Sequence, residues 1–146
     1  MYNKIKSLMF DLVQIGSIIF FLLTAPVIVS NSIVFFIQIM ATFILLVSVW
    51  EMRRTKYYRV PDIGKPNELV QSGIYKYIRN PMYVAQLLFC GALLLHTFSL
   101  YRLIVYILFF INFVYKIQYE ETLLRTYFKK FEAYKKTSWR LLPFIY

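Results

Sequence analysis

The sequence predicts an all-α integral membrane protein of about four transmembrane helices, closed by a C-terminal amphipathic helix at the membrane interface. Three observations predict it. The composition is 60% hydrophobic and only 16% charged, where soluble domains run nearer half apolar and a quarter charged. Four apolar stretches follow one another along 146 residues. The cations sort to one side of those stretches. The length allows one domain, read as a helical hairpin over 1–50, a cytoplasmic loop over 51–80, and a functional core with its tail over 81–146.

The first stretch, 8–29, carries Asp11 and Gln14 near its start, and the second, 33–50, is interrupted by Gln38 and small hydroxyl residues. Ser30-Asn31-Ser32 between them reads as a tight polar turn, which predicts an antiparallel hairpin. The first stretch is too long for a signal-peptide core and lacks a small-x-small cleavage site. The third stretch is 82–100. The fourth runs clean over 103–115 and continues through Lys116 to Tyr119. A span needs about 20 mostly apolar residues, because each helical residue rises about 1.5 Å against a core of about 30 Å. The first three stretches meet this, and the fourth is short unless Lys116 carries its ammonium toward the interface.

Lys4 and Lys6 precede the first stretch. Seven cations, Arg53 to Arg79, separate the second from the third. Seven more, Lys116 to Arg140, lie at or after the end of the fourth, and only Arg102 lies between the third and fourth. With four spans, sixteen of the seventeen cations share one side, and the positive-inside rule puts both termini and the middle loop in the cytoplasm. The net charge of +10 thus has a topological origin. It does not call for nucleic acid, although anionic membrane lipids are natural partners.

Pro61, Gly64, Pro66 and Gly73 in the middle segment break helices, which predicts a loop with a short strand or helical turn. In the tail, Leu124, Tyr127, Phe131 and Tyr134 recur at three- and four-residue spacing while Lys129, Lys130 and Lys136 fall on other faces. That pattern predicts an amphipathic helix from Glu120 onward along the interface, with Pro143 as its outer limit. Cys90 and His96 are the single cysteine and histidine. They exclude an internal disulfide and leave no ligand set for a metal.

Two polar clusters sit at the cytoplasmic ends of the last two stretches. One is Gly73-Ile74-Tyr75-Lys76-Tyr77-Ile78-Arg79-Asn80-Pro81-Met82-Tyr83. Pro81 suits a first helical turn, Asn80 is a candidate N-cap, and free N–H groups there favour an anion. The alternative is an ordinary flanking arginine and a belt tyrosine. The other cluster is Glu120-Glu121 followed by Arg125. Adjacent carboxylates at a membrane boundary are costly unless paired or hydrated. The i,i+4 pairs Lys116–Glu120 and Glu121–Arg125 are the simplest way to pair them.

Taken together, the segment 69–144 resembles the isoprenylcysteine carboxyl methyltransferases and their relatives, the phospholipid N-methyltransferases. The resemblance rests on Gly73-Ile74-Tyr75, Arg79-Asn80-Pro81-Met82-Tyr83, Glu120-Glu121-Thr122-Leu123-Leu124, Phe131-Glu132-Ala133-Tyr134 and Arg140-Leu141-Leu142-Pro143. It departs where the family's usual His is Asn80. It departs again where an Arg-Val-Pro run is replaced by Thr137-Ser138-Trp139, removing the arginine expected to grip a prenylcysteine carboxylate. The resemblance implies a membrane methyltransferase using S-adenosyl-L-methionine. The cofactor would enter from the cytoplasm beneath the tail, and a lipid or lipid-linked acceptor would enter from the bilayer. It implies Tyr75, Arg79, Asn80, Tyr83, Glu121 and Tyr134 around the cofactor, with Glu121 on ribose hydroxyls or the cofactor ammonium and Arg140 orienting the acceptor. A homodimer is compatible with so small a unit. A non-enzymatic membrane scaffold explains the spans and charge equally well but leaves the two clusters as coincidence, and a nicotinamide-dependent membrane reductase has no distinct motif here.

Overall fold

A computed structural model describes residues 4–54 and 69–141. The predicted loop around Pro61, Gly64 and Pro66, with Lys56, Arg59 and Lys65, and the predicted tail limit at Pro143, all lie outside the described residues. Five α-helices follow in order: α1 Lys4–Thr24, α2 Ser32–Arg54, α3 Pro81–His96, α4 Leu100–Tyr127 and α5 Phe131–Thr137, with a 3-10 turn, Gly73–Lys76, before α3. The only β feature among the described residues is an isolated bridge between Ile78 and Trp139. The chain is an all-α membrane protein: α1, α2 and α4 are long and apolar enough to cross a bilayer, and α3 is a shorter apolar helix.

The helix ends have local causes. Pro26 disfavours helix in the residue before it, so α1 stops at Thr24 although the apolar stretch runs on to Val29. Asn31 caps α2, its Oδ1 accepting from the Ile33 and Val34 N–H groups at 3.0 and 3.2 Å. Buried or lipid-facing hydroxyls satisfy themselves on the preceding turn: Ser17 donates to the Val13 carbonyl, Thr42 to Gln38 and Ser48 to Ile44, as apolar surroundings require. The third and fourth helices break at Thr97–Ser99, earlier than the hydropathy suggests, and the lengths are reversed. α3 has 16 residues and α4 has 28. Arg102 is the reason. It is not in the loop but in the first turn of α4, where its guanidinium donates to the Thr97 carbonyl and to the carbonyl and hydroxyl of Thr24 at the end of α1. Among the described residues it is the lone Lys or Arg at this end of the molecule, and it closes two helix C-termini.

The packing order is α1–α4–α3–α2, each neighbour antiparallel. α2 packs most extensively on α3 and α1 on α4, whereas α1 and α2 hardly approach each other. The expected hairpin of 1–50 is thus antiparallel in sense but not a packed pair, because each of its helices has a better-matched partner later in the chain. Phe21, Leu93, Cys90, Phe109, Phe113 and Ile117 are fully or almost fully buried between α1, α3 and α4, while Phe36, Phe43, Leu46 and Trp50 of α2 face outward, as lipid-facing side chains do. In the tail, Glu120 to Tyr127 are the last turns of α4. The separate tail helix starts only at Phe131, whose ring and that of Tyr134 are buried.

Candidate active site

Four chain segments converge at the end of the bundle that holds the α1 N-terminus, the α2 C-terminus, the α3 N-terminus and the end of α4. Gly73 begins the approach. Its φ of +55° is open to glycine, and a Cβ there would lie 2.5 Å from the Glu51 carboxylate, which accepts from the Ser72 hydroxyl at 2.9 Å. This turn delivers Tyr75, then Arg79 and Asn80, to the start of α3. Pro81 occupies the first turn of α3 as expected. Asn80 stands at the cap position but its side chain makes no capping bond. It donates instead from Nδ2 to the Arg140 carbonyl at 3.1 Å.

The tail lies back across this turn. The Arg79 N–H donates to the Trp139 carbonyl at 2.7 Å, the Trp139 N–H to the Tyr77 carbonyl at 2.9 Å, and the Asn80 N–H to the Arg140 carbonyl at 3.2 Å. The Tyr134 hydroxyl donates to the Tyr75 carbonyl at 2.5 Å. Burial pushes the Tyr134 phenol up to about 12, with Arg79 and the Ser138 hydroxyl pulling the other way.

Glu121 sits at the centre, 5% exposed. Its carboxylate accepts from Arg79 Nε at 3.1 Å and, as a two-pronged pair, from Arg140 Nε at 3.1 Å and Nη2 at 2.9 Å. Arg79 Nη1 also donates to the Lys135 carbonyl and to the Ser138 carbonyl and hydroxyl. Two guanidinium groups on one buried carboxylate compensate its desolvation with charge-assisted bonds. The i,i+4 pairing expected for Glu121 with Arg125 is not the one formed. Arg125 pairs with Glu132 on the surface, because a buried carboxylate needs buried donors. Lys116 likewise reaches across to α1, with its ammonium 2.6 Å from Asp11 Oδ1 and 2.5 Å from Gln14 Oε1.

A cavity of about 140 Å³ opens beside this cluster, lined by all of the expected cofactor residues, Tyr75, Arg79, Asn80, Tyr83, Glu121 and Tyr134. Arg140 is not on its wall but behind Glu121. Residues that the sequence reading did not select also line it: Phe10 and Asp11 of α1, Met52 of α2, and Lys116, Tyr119 and Glu120 of α4. The Tyr83 hydroxyl donates to Glu120 at 2.8 Å, and the Tyr83 ring stacks on Phe113 at 4.6 Å. Polar residues at 11 and 14, inside an apolar helix, were the available signal for the α1 contribution.

A buried charge cluster beside a cavity, at one end of a bundle of lipid-facing helices, defines a membrane protein with an enzyme-like polar site. A family profile described as phospholipid methyltransferase matches residues 29–131, more than two thirds of the chain. The protein belongs to the phospholipid methyltransferase family, and is a membrane methyltransferase in that sense. No curated protein and no solved structure matches it significantly. The match takes in α2 as well as the motifs at 73–83 and 120–124. It ends before Tyr134, Ser138 and Arg140, and it begins after α1.

Proposed function

We propose that the protein transfers a methyl group from S-adenosylmethionine to the amine of a lipid headgroup. The donor set fits this cofactor. Arg79, with its side chain 8% exposed, has no acceptor for Nη2 among the described residues, and Nη2 is suited to the amino-acid carboxylate. Asn80 Oδ1 likewise takes no donor there and suits an ammonium or hydroxyl. Met52, Met82 and Leu124 offer an apolar wall for a purine. When bound, this cofactor supplies an electrophilic methyl: the acceptor lone pair forms the new bond to carbon and the carbon–sulfur bond breaks onto sulfur.

The chain's own part is positioning and exclusion of water. Glu121, whose two oxygens both receive guanidinium donors, holds Arg79 and Arg140 in place. We give it this task rather than a ribose contact. Glu120, steadied by Tyr83, is our choice for receiving the proton that the methylated nitrogen sheds. The tail, fastened through Arg140 and Tyr134, shields the cavity from the aqueous side. We read four passes with both termini cytoplasmic, so that the cofactor arrives from the cytoplasm and the lipid from the bilayer.

The observation that favours an amine over a carboxylate is the Arg79–Glu121–Arg140 cluster. Both guanidinium groups at the site already hold a carboxylate, while the cavity wall presents Asp11 and Glu120. With Arg79 Nη2 given to the cofactor carboxylate, an acceptor carboxylate would have no further guanidinium to pair with and would meet repulsion from Asp11 and Glu120, whereas an ammonium would not. The test is calorimetric titration of the purified protein with S-adenosylhomocysteine, followed by labelled methyl transfer to aminolipid or prenylcysteine vesicles. We expect saturable binding, labelled aminolipid, and turnover that rises with pH as the amine loses its proton. Absence of binding, or labelling confined to prenylcysteine, rejects the reading.

A further inference from the structure

We propose that Asp11 of α1 is the specificity-determining residue for the headgroup amine and that Lys116 is its positioning residue. The proposal rests on the lipid-amine reading above. α1 lies outside the family-matched residues 29–131, and it adds a carboxylate to a cavity whose other walls come from α2, the segment before α3, α3, α4 and α5.

Lys116 is 3% exposed in the apolar bundle. Its ammonium is bonded to Asp11 and Gln14 and lies 5.3 Å over the Tyr83 ring. Gln14 is fixed in turn by Nε2 donating to Gln86 Oε1 of α3 at 2.7 Å. A buried ammonium requires such partners. A pair serving only to join two helices has no need of an accessible member, yet this pair is lopsided. The Lys116 side chain is 4% exposed and the Asp11 side chain 30%. Asp11 lines the cavity, and among the described residues its Oδ2 accepts no hydrogen bond.

The neighbours of Asp11 suit the same ligand. Phe10 precedes it, and the Phe10 and Tyr119 rings lie 6.0 Å apart on the cavity wall. A carboxylate beside two aromatic rings is matched to an alkylammonium. The carboxylate takes the N–H groups and the rings attract the cation and its methyls. Each methyl added removes one N–H, so Asp11 matters most for an unmethylated amine and the rings matter more as methylation proceeds.

The experiment uses the full chain in phosphatidylcholine vesicles carrying phosphatidylethanolamine or its N-methylated forms. The readouts are KM and kcat for the aminolipid, the Kd for S-adenosylhomocysteine, and thermal stability. The variants are Asp11→Asn, the neutral pair Asp11→Asn/Lys116→Gln, which keeps a hydrogen bond between the helices, and Asp11→Glu. Loss of a charge-assisted contact corresponds to about tenfold or more. We therefore expect the KM for phosphatidylethanolamine to rise about tenfold in both neutral variants. The rise should be smaller for the dimethylated lipid, and the Kd for S-adenosylhomocysteine should stay within about twofold. Asp11→Glu should remain near the wild type. An unchanged KM in the stably folded neutral pair overturns the assignment, as does a parallel loss of S-adenosylhomocysteine binding. A wild-type protein that binds S-adenosylhomocysteine but leaves every aminolipid unmethylated overturns the amine reading itself, and this assignment with it.

Discussion

Glu121 concentrates the energetic risk of the site in one side chain. Glu121→Gln leaves Arg79 and Arg140 with a neutral acceptor in a buried setting, and breaking such a pair costs roughly 3–5 kcal/mol. Part of that cost should appear as looser cofactor binding, by roughly 1–3 kcal/mol for a lost charge-assisted bond. Titration with S-adenosylhomocysteine measures this against Glu132→Gln, whose exposed pair with Arg125 contributes little; equal losses in the two variants would remove Glu121 from the site. Tyr134 gives a pH test. Its pKa is raised from 10.0 to about 12, so the folded tail keeps a proton that the unfolded chain releases. Its stabilising share is fully present below pH 10 and is lost as pH rises toward 12, a drop on the order of 2 kcal/mol. Trp139 fluorescence in a Trp50→Phe background should report the tail loosening over that window, and adding Tyr134→Phe should abolish that component. These residues could be picked from the sequence because their order along the chain is visible there. Their partners could not. Spacing displays only neighbours on the same helix, and so suggested Glu121 with Arg125, whereas burial selects donors 19 and 42 positions away.

The helices were legible as apolar runs, and their ends were not. Pro26 and Asn31 fix the α1–α2 connection by local chemistry that the sequence does carry. The α3–α4 break depends on Arg102 reaching Thr24, a contact 78 residues apart in the chain. The absence of direct packing between α1 and α2 was equally hidden, since a polar turn specifies reversal and says nothing about which faces match. The 3-10 turn before α3 offers a test of how rigidly this element must present Arg79. Gly73→Ala places a methyl against Glu51 at a positive φ, costing about 1–2 kcal/mol. The added methyl should pull Glu51 from Ser72, lowering thermal stability and weakening S-adenosylhomocysteine binding together. Binding unchanged despite lower stability would show that the turn does not set the Arg79 position.

For the whole molecule, the placement of sixteen of seventeen cations predicts an orientation without any knowledge of packing. Reporter fusions at Tyr2 and Tyr146 should both read cytoplasm, and an external C-terminus would require one helix fewer across the bilayer. The four-pass arrangement proposed above would give the short third helix a mechanical meaning. Sixteen residues reach about 24 Å, against a hydrocarbon thickness of about 30 Å. In that arrangement Pro81 and the cavity beside it would lie recessed below the headgroup plane, and the adjoining leaflet would thin to meet them. A recess of this depth would lower the surrounding lipid surface toward the site, so that the headgroup of the proposed lipid acceptor would arrive by lateral diffusion without its acyl chains leaving the membrane. Turnover should accordingly fall when the same headgroup is supplied in a bilayer of longer acyl chains, where the deformation costs a fraction of a kcal/mol for each added ångström, while affinity for water-soluble S-adenosylhomocysteine stays constant.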